Sequence, residues 1–335
     1  MASVDIAALT APIPGEDPCG PNLEYDAEFA ALERACVGKP EQQIGTTIVK
    51  AEDPDWPLVE RQARALLGRT KDLHVTVHFT RALIRLRGWE GFAAGLALLA
   101  TNLADHWDGV HPRLDPDDGN DPTARLNVLA GLADAATLAG VRAMPLVATR
   151  STGAFGLREI DLATGETVAA PDDPAPPSMA VIDGTVNEVD VEALTATATA
   201  VTACAAALAA IEATVADKST QTPSFGRLPL LVRSAERLTA SWLAQRQPAQ
   251  AGLEATAGDT SPTRARGSGE ISSREDVIRT LDRVIAYYAR HEPSSPIPML
   301  IERSKKLVPM SFVDIIRELA PDGVSQIENL RGRTD

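Results

Sequence analysis

Apolar positions recur along most of this chain every three or four residues, which is the period of an α-helix facing a core. The pattern is densest near the C-terminus, where Ser272 and Glu275 have the spacing of a capping box and predict a helix start. Two shorter helices are predicted after it, at 297–307 and 312–319. The side chains predicted on the apolar faces of these three helices are Val277, Ile278, Leu281, Val284, Ile285, Tyr288, Leu300, Ile301, Leu307, Phe312, Ile315, Ile316 and Leu319.

This C-terminal stretch is too small to bury so wide an apolar stripe by itself, because small domains have little interior. We therefore expect residues 271–335 to form a helical oligomerisation module, in which copies of the chain bury the stripe against one another. The alternative is an ordinary helical subdomain docked on the rest of the protein.

Helical periodicity also dominates residues 1–246, where Asp55 and Asp72 precede apolar runs as candidate N-caps. Short connections make successive helices antiparallel neighbours, so this part is predicted to be a helical bundle or a short solenoid. The predicted helices cover 27–36, 56–67, 72–87, 90–107 and 121–140.

Three stretches depart from this pattern. Residues 155–163 alternate as a strand does and precede a Thr-Gly turn, which predicts a small β-hairpin. A heptad seam over 191–215 predicts a long helix that pairs with 229–243. Residues 247–270 contain almost no large apolar side chain and are predicted to be a flexible linker. The expected fold class is therefore all-α, with a hairpin excursion, a linker and the C-terminal module.

The charge distribution supports the same division. The sequence carries 32 Lys and Arg against 46 Asp and Glu, a net charge of −14, which argues against nucleic-acid binding because phosphates require a basic face. Residues 271–335 hold ten basic and ten acidic side chains, so all the excess negative charge precedes them. A neutral module can pack against copies of itself without strong repulsion, while acidic bodies keep the assembly soluble.

The remaining composition indicates a cytoplasmic protein. Cys19, Cys36 and Cys204 are widely spaced and form no C-x-x-C pair, which fits a reducing compartment. The N-terminus lacks a basic segment followed by an apolar run, so no signal peptide is predicted. Residues 193–216 are almost uncharged, but they are rich in Ala and Thr and contain Glu212, so direct membrane insertion is not expected.

Candidate chemistry is sparse. His74 and His78 have the i, i+4 spacing at which two imidazoles can share a metal, but the sequence offers no clear third ligand. The acidic loop 115–121 lacks a Gly and a terminal bidentate Glu at the spacing of an EF-hand calcium loop. We therefore expect no catalytic residue, no cofactor and no metal. The enzyme alternative is a metal-dependent hydrolase that uses His74, His78 and the acidic loop.

Several short N-terminal motifs, taken in order, resemble one protein family. Residues 12–20 read Pro-Ile-Pro-Gly-Glu-Asp-Pro-Cys-Gly and are followed by Leu-Glu-Tyr-Asp at 23–26. Thr-Lys-Asp-Leu stands at 70–73 and Trp-Asp-Gly-Val-His-Pro at 107–112. They resemble TssA, the ImpA-type assembly proteins of bacterial type VI secretion systems. The motif residues to which the resemblance assigns structural roles are Pro18, Gly20, Tyr25, Asp72, Trp107, His111 and Pro112.

The C-terminal stretches 292–298, 307–312 and 317–322 resemble the short form of the same family, which ends in a phage-baseplate-like region. The resemblance implies a non-enzymatic component that forms a ring-like oligomer and helps to start or coordinate tube and sheath growth. The implied partners are copies of itself and the baseplate, inner-tube (Hcp) and sheath subunits, in the cytoplasm beside the inner membrane. The remaining alternative is a helical adaptor unrelated to secretion.

Overall fold

The computed structural model describes residues 6–39, 42–44, 47–49, 52–169, 175–254, 274–291, 296–308 and 310. The chain divides into two units, Met1–Gly258 and Asp259–Asp335. The predicted limits of 1–246, 247–270 and 271–335 are close to this division and stay predictions. The helix that begins at Leu228 continues to Glu254, so it occupies the first part of the predicted linker, and 255–270 lies outside the described residues.

The first unit is mostly α-helical, as predicted, with two small antiparallel strand pairs among its described residues. Its strands are β1 (Gln42–Ile44), β2 (Thr47–Val49), β3 (Pro145–Thr149) and β4 (Gly153–Gly156). Its helices are α1 (Ile6–Thr10), α2 (Ala27–Ala35), α3 (Trp56–Leu67), α4 (Leu73–His106), α5 (Thr123–Ala130), α6 (Ala135–Ala143), α7 (Leu157–Thr164), α8 (Met179–Glu188), α9 (Val191–Lys218) and α10 (Leu228–Glu254).

The central element is α4, which has a hydrophobic cluster on each side. The smaller cluster lies among α1 to α4, and the larger one joins α4 to α5 through α10 and the β3–β4 hairpin. The helix is broken at Gly88, whose φ of 56° and ψ of −138° lie outside the helical region. The two helices predicted over 72–87 and 90–107 are the two halves of α4.

Aspartate side chains begin several of these helices, because a carboxylate accepts the backbone N–H groups that a first turn leaves unpaired. Asp55 accepts a hydrogen bond from Leu58 N at 3.1 Å, and Asp72 accepts one from His74 N at 2.7 Å. Both predicted caps are confirmed.

The prediction of a single helix over 121–140 is wrong. The structure instead has α5, a 3-10 turn at Gly131–Ala133, and α6. Asp134 has an extended backbone and accepts a hydrogen bond from Thr137 N, so it starts a new helix. Arg81 of α4 holds the break, because its guanidinium donates to Gly131 O and pairs with the Asp134 carboxylate.

The hairpin exists but lies earlier than predicted. β3 and β4 pair antiparallel, whereas most of the predicted strand 155–163 forms α7. The reason is a helix start at Gly156, whose N–H donates to the Glu159 carboxylate at 3.0 Å. Leu157 and Ile160 then bury one helical face.

The predicted heptad seam is confirmed as the buried side of α9, which packs against α4 and α10. Val201, Cys204 and Ile211 are fully buried there. By length and composition α9 would also pass as a membrane span. A helix with one side in a protein core passes the same test, and the expectation of no membrane insertion stays a prediction.

The described part of the second unit consists of α11 (Arg274–His291) and α12 (Ile297–Leu307), which pack against each other. Lys305 of α12 pairs with Asp282 of α11. Two of the predicted helices are therefore present. The third, at 312–319, lies outside the described residues, as do its side chains Phe312, Ile315, Ile316 and Leu319.

Candidate functional site

The motif residues of the first unit meet where the N-terminal loop 11–25 crosses the ends of α4. Lys71 N donates to Cys19 O at 2.7 Å, which fixes the loop to the α3–α4 turn. His111 N donates to Lys71 O, and Leu73 N donates to His111 O, both at 2.9 Å. We call this meeting of 17–21, 69–73 and 107–113 the junction.

Gly20 lets the loop approach the α3–α4 turn. Its φ is +71°, and a Cβ at this position would lie 2.3 Å from Arg69 O. Its carbonyl accepts a hydrogen bond from His111 Nε2 at 3.0 Å. Because a carbonyl can only accept, Nε2 carries the proton and Nδ1 of a neutral ring is left as an acceptor.

Two buried cations complete the junction. Lys71 has no exposed surface, and its ammonium donates to Leu9 O. Burial lowers the pKa of Lys71. Arg125 is 1% exposed and donates to Pro112 O at 2.7 Å, to Val110 O at 2.8 Å and to Trp107 O. Burial lowers the pKa of Arg125 to about 10.

Arg125 is the residue of this site that sequence reasoning missed. Its guanidinium lies 5.0 Å from the centre of the Trp107 ring, so it binds the end of α4 through both the ring and the backbone. A signal was present in the sequence, because Arg125 is the one charged residue between Asp121 and Asp134. A charge inside an apolar helical stretch marks a buried, hydrogen-bonded group.

Most of the predicted motif residues come together in the junction. Pro18, Gly20, Asp72, Trp107, His111 and Pro112 all lie there, and the His111–Pro112 peptide bond is cis. Tyr25 does not join them, because it is 95% exposed on the surface.

A groove opens beside the junction, with α2 and α5 as its walls and α4 between them. It consists of two adjoining cavities of about 560 and 470 Å³. The residues that line both cavities are Glu33, His74, Pro112 and Ala124. Glu24, Phe29, Asp72 and His111 line the first cavity, and His78 and Arg81 line the second.

The pKa values of the two histidines of the groove are shifted in opposite directions. His74 Nδ1 lies 3.6 Å from Asp72 Oδ1, and this carboxylate raises the pKa of His74, with smaller contributions from Glu33 and Glu24. His78 Nε2 donates to Glu33 Oε1 at 3.3 Å. Burial nevertheless lowers the pKa of His78, and the nearby Arg81 lowers it further.

These contacts bear on the hydrolase alternative. His74 is paired with Asp72 and His78 with Glu33, so the two rings do not share one partner. Across the described ranges, no group of three His, Cys, Asp or Glu side chains is placed to hold a metal ion. In the acidic loop, Asp115 and Asp121 accept backbone hydrogen bonds from Asp117 and Thr123. Those two carboxylates therefore stabilise local turns.

The predicted assembly stripe of the second unit is only partly covered. Among the residues of this unit whose burial is described, none is buried, and Leu300 is 63% exposed. The half-buried members of the stripe are Val277, Ile278, Leu281, Val284, Ile285, Tyr288, Ile301 and Leu307.

The protein is mostly α-helical, and polar contacts connect the helices and loops of its first unit. Its two candidate surfaces are the groove of the first unit and the apolar stripe of the second. Comparison with known proteins adds its family. The profile of the family described as "ImpA, N-terminal, type VI secretion system" matches residues 10–134. A type VI secretion system component of Pseudomonas aeruginosa PAO1, TssA1, is 42% identical to the chain over an alignment of 342 positions, which covers 98% of this chain and 98% of that protein.

A solved structure agrees with this result. It is the N-terminal domain, including the conserved ImpA_N region, of the TssA component of the type VI secretion system from Burkholderia cenocepacia. The TM-score is 0.58 at 27% identity, covering 73% of this chain and 96% of that one. The chain therefore belongs to the TssA family of type VI secretion system components.

Proposed function

We propose that this protein is a non-enzymatic scaffold of the type VI secretion apparatus that assembles with copies of itself through its C-terminal unit. In this role it forms a ring-like oligomer in the cytoplasm, works with the baseplate, and helps to start or coordinate assembly of the inner tube and sheath. The observation that carries the proposal is the apolar stripe of α11 and α12, which a single chain leaves half-exposed.

Physical chemistry supports burial of this stripe between chains. Burying a Leu or Ile side chain contributes about 1.5–3 kcal/mol, and each subunit of a ring repeats the contact with its neighbours. The unit is also neutral, with ten basic and ten acidic side chains over 271–335. Its copies can therefore approach one another without the repulsion that the acidic first unit would produce.

The test is a pair of substitutions on opposite sides of α11 in the full chain. Leu281→Asp places a charge in the half-buried stripe, whereas Arg283→Asp places the same side chain on the exposed side. A charge buried at an interface without a partner costs several kcal/mol. We expect light scattering to show that L281D falls to small species while R283D keeps the mass of the wild-type assembly.

Two controls complete this experiment. Far-UV circular dichroism shows whether L281D keeps its helices, and Ile285→Asp repeats the test one turn further along the same face. In cells, fluorescent sheath structures should disappear with L281D and persist with R283D. An L281D protein of wild-type mass, or a wild-type chain that is monomeric, would refute assembly through this unit.

A further inference from the structure

We infer that the groove beside the junction binds a lysine or arginine side chain presented by a segment of a partner protein. This inference concerns the first unit and goes beyond the function proposed above. It does not depend on how the C-terminal unit assembles.

The shape of the groove fits a side chain together with its flanking backbone. Its two cavities of about 560 and 470 Å³ adjoin along α4, and sites for small ligands have volumes of about 300–1,000 Å³. Phe29, Ala30, Pro112 and Ala124 supply apolar walls to the first cavity. Such walls suit the methylene stem of a long basic side chain, which packs on apolar surface while its charged end reaches polar groups.

Three carboxylates line the first cavity, and that of Glu24 has no ion-pair partner among the described residues, whereas Asp72 and Glu33 pair with histidines. No lysine or arginine is among the described lining residues of this cavity. The carboxylate of Glu33 pairs with His78, and Glu24 forms no ion pair with any described cation. Asp72 contributes most to the raised pKa of His74, and Glu33 and Glu24 raise it further.

The second cavity does not offer a competing positive site. Its cation is Arg81, and the guanidinium of Arg81 is already bound to Asp134 and to Gly131 O. The groove therefore has unsatisfied negative charge at one end only. This polarity favours a cationic occupant at the Glu24 end and leaves the second cavity for the neighbouring residues of the same segment.

A second, independent feature of the first cavity is a buried nitrogen atom that lacks a hydrogen-bond donor. His111 lines the first cavity and is 2% exposed. Its Nε2 donates a hydrogen bond to Gly20 O. Its Nδ1 is buried and has no hydrogen-bond partner among the described residues. A buried acceptor without a partner costs free energy, and the N–H groups of a bound ammonium or guanidinium would supply the donor.

Tyr25 is an exposed aromatic side chain next to Glu24 in sequence, although it lines neither cavity of the groove. It follows Glu24 in the chain and is 95% exposed. Tyrosine is enriched where proteins bind each other, and its ring can stack on a guanidinium. Exposure of this motif residue has no explanation within the junction.

The experiment uses saturation-transfer NMR on the full-length protein, which suits large assemblies. The probe is the peptide acetyl-Gly-Ala-Arg-Ala-Gly-amide, and its reference is the same peptide with citrulline, which keeps the shape and loses the charge. We expect the arginine methylene signals to exceed the citrulline signals by about fivefold. Equal signals from the two peptides would overturn the inference.

Two double variants localise the binding. Glu24→Gln with Glu33→Gln should abolish the preference for arginine, whereas Glu192→Gln with Glu212→Gln removes two exposed carboxylates on α9 and should leave it unchanged. Both pairs change the net charge equally. Retention of the preference in the Glu24 and Glu33 variant, or its loss in the α9 variant, would show that binding is not in the groove.

Discussion

Gly20 combines two constraints that can be separated by experiment. Its φ of +71° disfavours any side chain, and the space for a Cβ is occupied by Arg69 O at 2.3 Å. Gly119 has a similar φ of +66° but nothing within 4 Å of a Cβ. Comparing alanine at the two positions therefore isolates the close approach from the backbone conformation.

We expect Gly119→Ala to lower the free energy of unfolding by about 1–2 kcal/mol, the cost of a left-handed conformation. Gly20→Ala should lower it further, because the N-terminal loop must move away from the α3–α4 turn. Urea unfolding followed by tryptophan fluorescence measures this in the full chain. The signal reports the first unit alone, since Trp56, Trp89, Trp107 and Trp242 are its four tryptophans. Equal losses in the two variants would contradict the steric argument.

His78 makes the first unit sensitive to acid. Burial lowers the pKa of His78 in the folded state, so the unfolded chain takes up a proton more readily, with a pKa of about 6.5. This contribution to stability is therefore present above the unfolded pKa and is lost as the pH falls through the folded pKa. In urea unfolding at neutral and mildly acidic pH, His78→Gln should show a smaller loss of stability on acidification than the wild type.

His74 provides the opposite control. Asp72 raises the pKa of His74, so its contribution is fully present below the unfolded pKa and is lost as the pH rises through the folded pKa. His74→Gln should therefore lose more stability than the wild type over the same acidification. If the free energy of unfolding changed equally with pH in both variants, neither histidine would have the shifted pKa described here.

Among the elements, the connection from α4 to α5 depends on one side chain. Arg125 sits at the start of α5 and donates to three carbonyls of the connection, those of Trp107, Val110 and Pro112. A carbonyl left buried without a donor costs about 1–3 kcal/mol. The arginine fork therefore fixes where α5 begins relative to the end of α4.

We expect Arg125→Met, which keeps the apolar stem and removes the donors, to lower the free energy of unfolding by about 3 kcal/mol or more. Arg113→Met is the matched control in the same connection, because Arg113 is half-exposed and pairs with Asp17 at the surface. A surface pair contributes about 0–1 kcal/mol. Similar losses for the two variants would show that the fork does not hold the connection.

The elements also show which features local sequence determines. Asp55 and Asp72 begin helices by bonding to residues two or three positions away, so their roles follow from the sequence alone. Asp134 uses the same chemistry, but the apolar period of 126–138 continues across it and predicts one helix. The alternation at 155–163 is misleading for a similar reason, since Glu159 closes a cap on Gly156.

Contacts across the whole molecule are less accessible to sequence reasoning. The heptad of α9 predicts its buried side because that pattern is repeated many times. The junction and the groove, in contrast, depend on single contacts between residues far apart, such as Gly20 with His111. A sequence shows that these residues are unusual, and only a fold shows that they meet. The family resemblance identified six residues of the junction without revealing Arg125.

At the scale of the whole molecule, the two units differ in chemistry. The first has two buried hydrophobic clusters and all the excess negative charge. The second is neutral, and none of its residues of described burial is buried. Contacts within one chain therefore stabilise the first unit. In the proposed assembly, contacts between chains would stabilise the second.

The span of the junction also sets an order of events during synthesis. Lys71 reaches back 62 positions to Leu9, and His111 reaches back 91 positions to Gly20. A ribosome makes Leu9 and Gly20 before the residues that bind them. Leu9 can meet Lys71 before α4 has been made, whereas Gly20 must wait for His111, which follows α4. The junction can therefore close only after α4 is complete. A fusion partner placed ahead of Leu9 would stay beside an open junction until then.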